Sequence, residues 1–270
     1  MRERLVALVT GAGSGIGRAT ALALADRGAS VWLVGRRLER LHEVADRTRE
    51  RGGSARVFQA DLTVDGDIVR LATELRGDTG SLDVLVHSAG QITFGQIELT
   101  PVEQLDRLYQ VNLRAPYLLT QLLLPFLRDS RGQIVFINSS AGLIASPRIG
   151  HYAATKFALK GLADSLRAEV NADAIRVLSI FPGRVATAMQ ATVHEAEGAT
   201  FDPSALAQPE DIAELVVSAL LLPRTAEVTD LTVRPMLKPP LQPPPPRQGG
   251  RPTSAPTGST SAPRDRALPS

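Results

Sequence analysis

A chain of 270 residues, 43% hydrophobic, with 22 glycines, 19 prolines and no cysteine has room for one large α/β domain or two small ones and excludes a disulfide scaffold, a thiolate zinc site and a cysteine nucleophile. Its 30 basic and 28 acidic residues give a net charge of only +2, so overall charge makes no case for nucleic acid, although 27 arginines against three lysines lift the isoelectric point to 9.3.

The first apolar run, Leu5–Val9, is too short for a signal-peptide core and leads straight into glycines. Nowhere do about 18 uninterrupted apolar residues occur, so a cytoplasmic protein with no membrane span is expected. Leu5–Val9 reads instead as a first strand. It runs into Thr10-Gly11-Ala12-Gly13-Ser14-Gly15-Ile16-Gly17 and then a helix near 15–27. Glycines at such a turn let the backbone approach a pyrophosphate, which then sits on the free amides and positive dipole end of the helix. The spacing is T-G-x-x-x-G-x-G, and a tight structural turn or a methyltransferase-type cofactor loop would use the same residues.

The second strand, Ser30–Val34, ends at Gly35-Arg36-Arg37, about 20 residues past the glycines, where an acidic residue would hold a ribose 2′-hydroxyl. Two guanidiniums there favour a 2′-phosphate, and hence NADP(H) over NAD(H); against this, arginine is simply abundant in the chain. Helices near 38–51 and 66–76 flank a strand at Arg56–Gln59, and a further strand is expected at Val84–His87. Thr100-Pro101-Val102-Glu103 predicts a helix over 101–128, with Thr100 as N-cap and proline at the first helical position.

Strand Ile134–Ile137 ends at Asn138-Ser139-Ser140, at the sheet edge where open α/β folds bind ligands. Ser139 there could hydrogen-bond a substrate oxygen, or serve only as a strand-end cap. Tyr152 and Lys156 open a helix over 151–171, and residues four apart share one helix face. An ammonium beside a phenol favours the phenolate and brings it toward a working acid/base range. With three tyrosines and three lysines in the chain, the spacing is uncommon by chance. The four histidines have no metal-ligand spacing, and His151 is expected at the pocket mouth or in solvent.

Strand Arg176–Phe181, the polar segment Ala188 to Gln208, a helix near 209–221 and a strand at Leu231–Val233 complete the pattern. The polar segment is expected to form a substrate lid, with Met189, Phe201, Phe94 and Ile144 as pocket candidates. Strands rich in Val, Ile and Leu alternating with helices predict an α/β fold: a three-layer, doubly wound parallel sheet of Rossmann type with about seven strands. Residues 1–237 form the expected single domain. Residues 238–270 hold ten prolines and almost no large apolar side chain, and read as a disordered tail.

This constellation resembles the short-chain dehydrogenase/reductase family in its single-domain form, from about Leu5 to Val233. Thr10–Gly17 matches its cofactor turn, Asp61-Leu62-Thr63 its adenine-contacting step, and Ser88-Ala89-Gly90 its N-N-A-G element, with His87-Ser88 replacing the usual asparagine pair. Asn112, Ser139, Tyr152 and Lys156 match its catalytic set, and Pro182-Gly183-Arg184-Val185-Ala186-Thr187 its nicotinamide-side loop. The resemblance implies hydride transfer between NADP(H) and a small carbonyl or alcohol substrate. Tyr152 would be the acid/base, Lys156 would hold the nicotinamide ribose and lower the phenol pKa, Ser139 would orient the substrate oxygen, and Asn112 would hold a water relay from Lys156. It also implies a homodimer or homotetramer through the helices 101–128 and 151–171. A non-catalytic NADP-binding sensor that engages a partner through the proline-rich tail is the other reading.

Overall fold

The computed structural model describes residues 5–237; the expected tail and the first four residues lie outside that range. The strands are β1 (Val6–Thr10), β2 (Ser30–Gly35), β3 (Ser54–Gln59), β4 (Val84–His87), β5 (Gln133–Ile137), β6 (Arg176–Pro182) and β7 (Asp230–Val233). They form one parallel sheet in the order β3-β2-β1-β4-β5-β6-β7. Successive strand residues point to opposite faces. Ala7 and Val9 of β1 therefore join one core layer while Leu8 joins the other.

The first layer is covered by α1 (Gly15–Ala25), α2 (Leu38–Glu50) and α8 (Pro209–Leu220). The second is covered by α3 (Asp65–Thr79), α5 (Ala115–Ser130) and α6 (Gly150–Val170), with Trp32, Phe58, Phe126 and Phe136 among its buried residues. Both faces being covered explains why the five inner strands show no polar alternation, whereas the edge strands β3 and β7 are partly exposed. The strand order reverses between β1 and β4, and the crevice beyond the carboxyl ends of these two strands is where a doubly wound sheet receives ligands.

Three local expectations are corrected. The helix expected over 101–128 is two α-helices, α4 (Val102–Tyr109) and α5, joined without a break by a π-helical turn, Gln110–Arg114. Thr100 does not cap it: Pro101, with ψ 140°, occupies the N-cap, and the Thr100 hydroxyl donates to Gln96 O at 2.8 Å. The segment after β6 contains a helix, α7 (Ala188–Glu197), opened by the Thr187 hydroxyl accepting from Gln190 N and closed by Gly198 at φ 67°. Among the described residues, no helix is long and apolar enough to cross a membrane.

Candidate active site

The floor of the site is built by one hydroxyl. Thr10 Oγ1, at the end of β1, donates to Val86 O at 3.3 Å and accepts the N–H groups of Ser88 and Ala89 at 3.0 and 3.2 Å, tying β1 to the loop after β4. Gly11 follows at φ 67°, so close to Ala89 that a Cβ would stand 2.9 Å from its backbone. Gly17 can have no side chain either, because a Cβ there would meet Gly11 O at 2.5 Å. Ser14 is the N-cap of α1 but makes no capping bond, so the first-turn amides of the helix have no side-chain partner, and Gly15, Ile16 and Gly17 line the cavity above them.

That cavity, of about 580 Å³, is lined by the residues named above for cofactor or chemistry except Thr10, Ala12, Thr63, Asn112 and Ala186. Arg36 and Arg37 stand exposed at the end of β2 and make no ion pair among the described residues; Gln59 Nε2 fixes the Arg36 carbonyl at 2.9 Å. Asp61 Oδ1 accepts from the backbone N–H and the hydroxyl of Thr63, at 2.9 and 2.8 Å, which holds the step from Asp61 to Leu62 in a tight turn. Pro182, Gly183, Val185 and Thr187 also line the cavity.

Tyr152, Lys156 and Ser139 meet in the cavity, and both Tyr152 and Lys156 are buried. Ser139 Oγ caps the following 3-10 turn by accepting from Ala141 N at 3.1 Å and also hydrogen-bonds the Tyr152 side chain. Lys156 Nζ lies 6.0 Å from the Tyr152 ring centroid and donates to Ile137 O at 3.1 Å. The expected lowering of the phenol pKa is therefore not what this geometry gives. Burial pushes the Tyr152 phenol above its ordinary value, and only the Ser139 hydrogen bond opposes it. Burial likewise lowers Lys156 to about 8.

Asn112 sits at the centre of the π-turn, 1% exposed: Oδ1 accepts from Gln91 N at 2.9 Å, while Nδ2 donates to Gln91 O at 3.0 Å and to Thr155 Oγ1 at 3.1 Å. It braces the loop after β4 against α6. His151 is buried, with Nε2 at 2.7 Å from Thr93 Oγ1, instead of facing solvent. Of the pocket candidates, Phe94 and Met189 line the cavity; Ile144 is 77% exposed and Phe201 packs edge-on against His194.

Arg148 lines the cavity but had no reading in the sequence, and Arg184, Gln190 and Glu197, read there only as parts of the nicotinamide-side loop and the polar segment, line it too. Arg148 lies four residues before Tyr152, a spacing that marks it only once the loop is seen to border the cavity. Arg184 and Glu197 are paired at 2.8 Å across the two ends of α7.

A family profile described as short chain dehydrogenase matches residues 5–198. An uncharacterized oxidoreductase of Staphylococcus epidermidis is 36% identical over 232 residues, covering 86% of this chain and 97% of that protein. An alcohol dehydrogenase from the archaeon Thermococcus sibiricus, solved with 5-hydroxy-NADP, is similar with a TM-score of 0.80 and 28% identity, over 89% of this chain and 100% of that one. A metagenomic short-chain oxidoreductase, solved in complex with NADP, gives 0.75 and 32% identity over 87% and 98% of the two chains.

Proposed function

Since this chain belongs to the short-chain dehydrogenase family, we propose that its cavity binds NADP(H) and that it interconverts a carbonyl compound and a secondary alcohol. The observation that carries this reading is the convergence of the glycine turn, Ser139, Tyr152 and Lys156 on one cavity. The residues fit the cofactor. The free first-turn amides of α1 suit its pyrophosphate, the glycine surfaces leave room where any Cβ would intrude, and the unpaired Arg36 and Arg37 suit a 2′-phosphate. Asp61 and Leu62 would border the adenine side, Ala89, Gly90 and Lys156 the nicotinamide ribose, and Pro182 to Thr187 the nicotinamide. NADP or its derivative in two similar solved proteins supports the preference.

When bound, the nicotinamide supplies or accepts the hydride. The chain handles the proton. Tyr152 Oη donates it to the carbonyl oxygen in reduction and takes it back in oxidation, while Ser139 Oγ holds that oxygen in line. A phenol kept above its ordinary pKa by burial is protonated at neutral pH, which is the form that reduction consumes. The exposed Tyr109, Tyr117 and Phe157 on α4, α5 and α6 support the homodimer or homotetramer. A sensor reading is disfavoured by the assembled acid/base cluster, for which a sensor has no use.

Screening ketones and secondary alcohols by NADPH absorbance identifies a working pair, and Tyr152→Phe then tests the mechanism. Nucleotide affinity should stay within about twofold while turnover falls by about a thousandfold or more. Turnover near wild type in that variant would remove Tyr152 from the chemistry.

A further inference from the structure

Beyond the residues read for the cofactor and the acid/base pair, the cavity lining carries three charged side chains, Arg148, Arg184 and Glu197. Arg184 is neutralised: Nη2 contacts Glu197 Oε2 at 2.8 Å, and Nη1 lies 3.3 Å from His194 Nε2. Arg148 is not. Among the described residues it makes no ion pair, and its guanidinium has one marginal hydrogen bond, Nη1 to Ala196 O at 3.4 Å. Lys156, the remaining cation near the reacting groups, is buried and engaged by Ile137 O. Arg148, an exposed residue, therefore brings to the cavity wall a positive charge with no ion pair among the described residues.

The backbone at Arg148 is strained as well. Its φ of 68° is left-handed, a conformation that glycine adopts freely and an arginine does not. The residue is held there by Gly95 N, which donates to Arg148 O at 2.8 Å and ties the loop after β4 to the loop entering α6. An arginine at a position where glycine would be relaxed, beside a cavity and without a counterion, points to a use for its guanidinium.

Building on the oxidoreductase reading above, we infer that the substrate carries a carboxylate and that Arg148 binds it, so that the enzyme acts on oxo acids and the matching hydroxy acids. A single free positive charge suits a monoanion better than a phosphate dianion, and the planar guanidinium offers a two-pronged fit to a carboxylate. The alternative role, a plain tie to the last turn of α7 through Ala196 O, makes a different prediction, because a tie acts on every substrate alike.

The test compares oxo acids, with varied spacing between carbonyl and carboxylate, each beside its methyl ester, and adds ketone phosphates as a separate arm. The full chain should show kcat/KM for the best acid at least about tenfold above its ester, mainly through KM. Arg148→Gln should lower that acid-to-ester ratio by about tenfold, and Arg148→Gly should lower it equally while raising the unfolding temperature through relief of strain. Equal use of acid and ester by the wild type, a parallel loss on both in Arg148→Gln, or a preference for the phosphates overturns the inference and leaves the oxidoreductase reading standing. Absence of turnover with every acid, ester and ketone overturns both.

Discussion

Single side chains decide cofactor choice and the protonation states at the reacting centre. Among the described residues Arg36 and Arg37 have no anion to satisfy them, so replacing one by a carboxylate should repel a 2′-phosphate and attract a ribose hydroxyl. Arg36→Asp is expected to move the NADPH-to-NADH ratio of kcat/KM toward NADH by about 2 kcal/mol, read from steady-state kinetics with both nucleotides. A wild type that already favours NADH would contradict this. Lys156 shows what such a site demands of the fold. Its buried ammonium titrates near 8, whereas the unfolded chain keeps that proton to about 10.5, so the unfolded state binds more protons in between. Stability should therefore rise with pH across that window, and at neutral pH the lysine is held at the expense of folding. Tyr152, Lys156 and Ser139 could be recognised from spacing and strand position. The direction of the phenol shift could not, because burial outweighs the charge effect that the spacing suggests.

At the scale of elements, the helix spanning 102–130 owes its usefulness to an irregularity. The π-turn at Gln110–Arg114 inserts Asn112 between the loop after β4 and α6, where its amide satisfies both backbone groups of Gln91 and meets Thr155. π-bulges of this kind concentrate at functional sites. Asn112→Ala would leave a backbone donor and acceptor without their partner and should lower stability by about 3 kcal/mol in urea unfolding. An effect under about 0.5 kcal/mol would mean that water takes over those bonds. The apolar periodicity and the proline of this region announced a helix, but neither reports a change of winding, since the apolar stripe continues through it. The missed α7 is different: its capping threonine and closing glycine, Thr187 and Gly198, are in the sequence, but the polar residues between them gave no apolar stripe to read.

Across the whole molecule, the sheet was legible because the five inner strands are buried on both faces and so read as apolar runs; even the ends of the strands differ from expectation by two residues or fewer. What no sequence pattern revealed is how contacts distant in the chain set the chemistry of a residue. His87 ends β4 stacked on Phe136 at 4.9 Å and bonded to Thr120 at 2.9 Å, and burial alone depresses its pKa to about 3. The unfolded chain takes up a proton below about 6.5, which the folded protein refuses until about 3, so stability should fall as pH drops through that window. The full loss approaches about 5 kcal/mol at the acid end. Urea titrations at pH 7, 6, 5 and 4 should show this decline, and His87→Asn should flatten it; an unchanged slope would assign the acid sensitivity to other groups.

The lacing of Thr10 to Ser88 and Ala89 also has a bearing on synthesis. The glycine turn leaves the ribosome ahead of its partner loop, and the surface that shapes Gly11 is made 78 residues later. At about 5–20 residues per second, the nascent chain waits several seconds with its nucleotide cradle unformed. Fragments that stop short of Ala89 should therefore have no affinity for the nucleotide, however completely their first βαβ unit has paired.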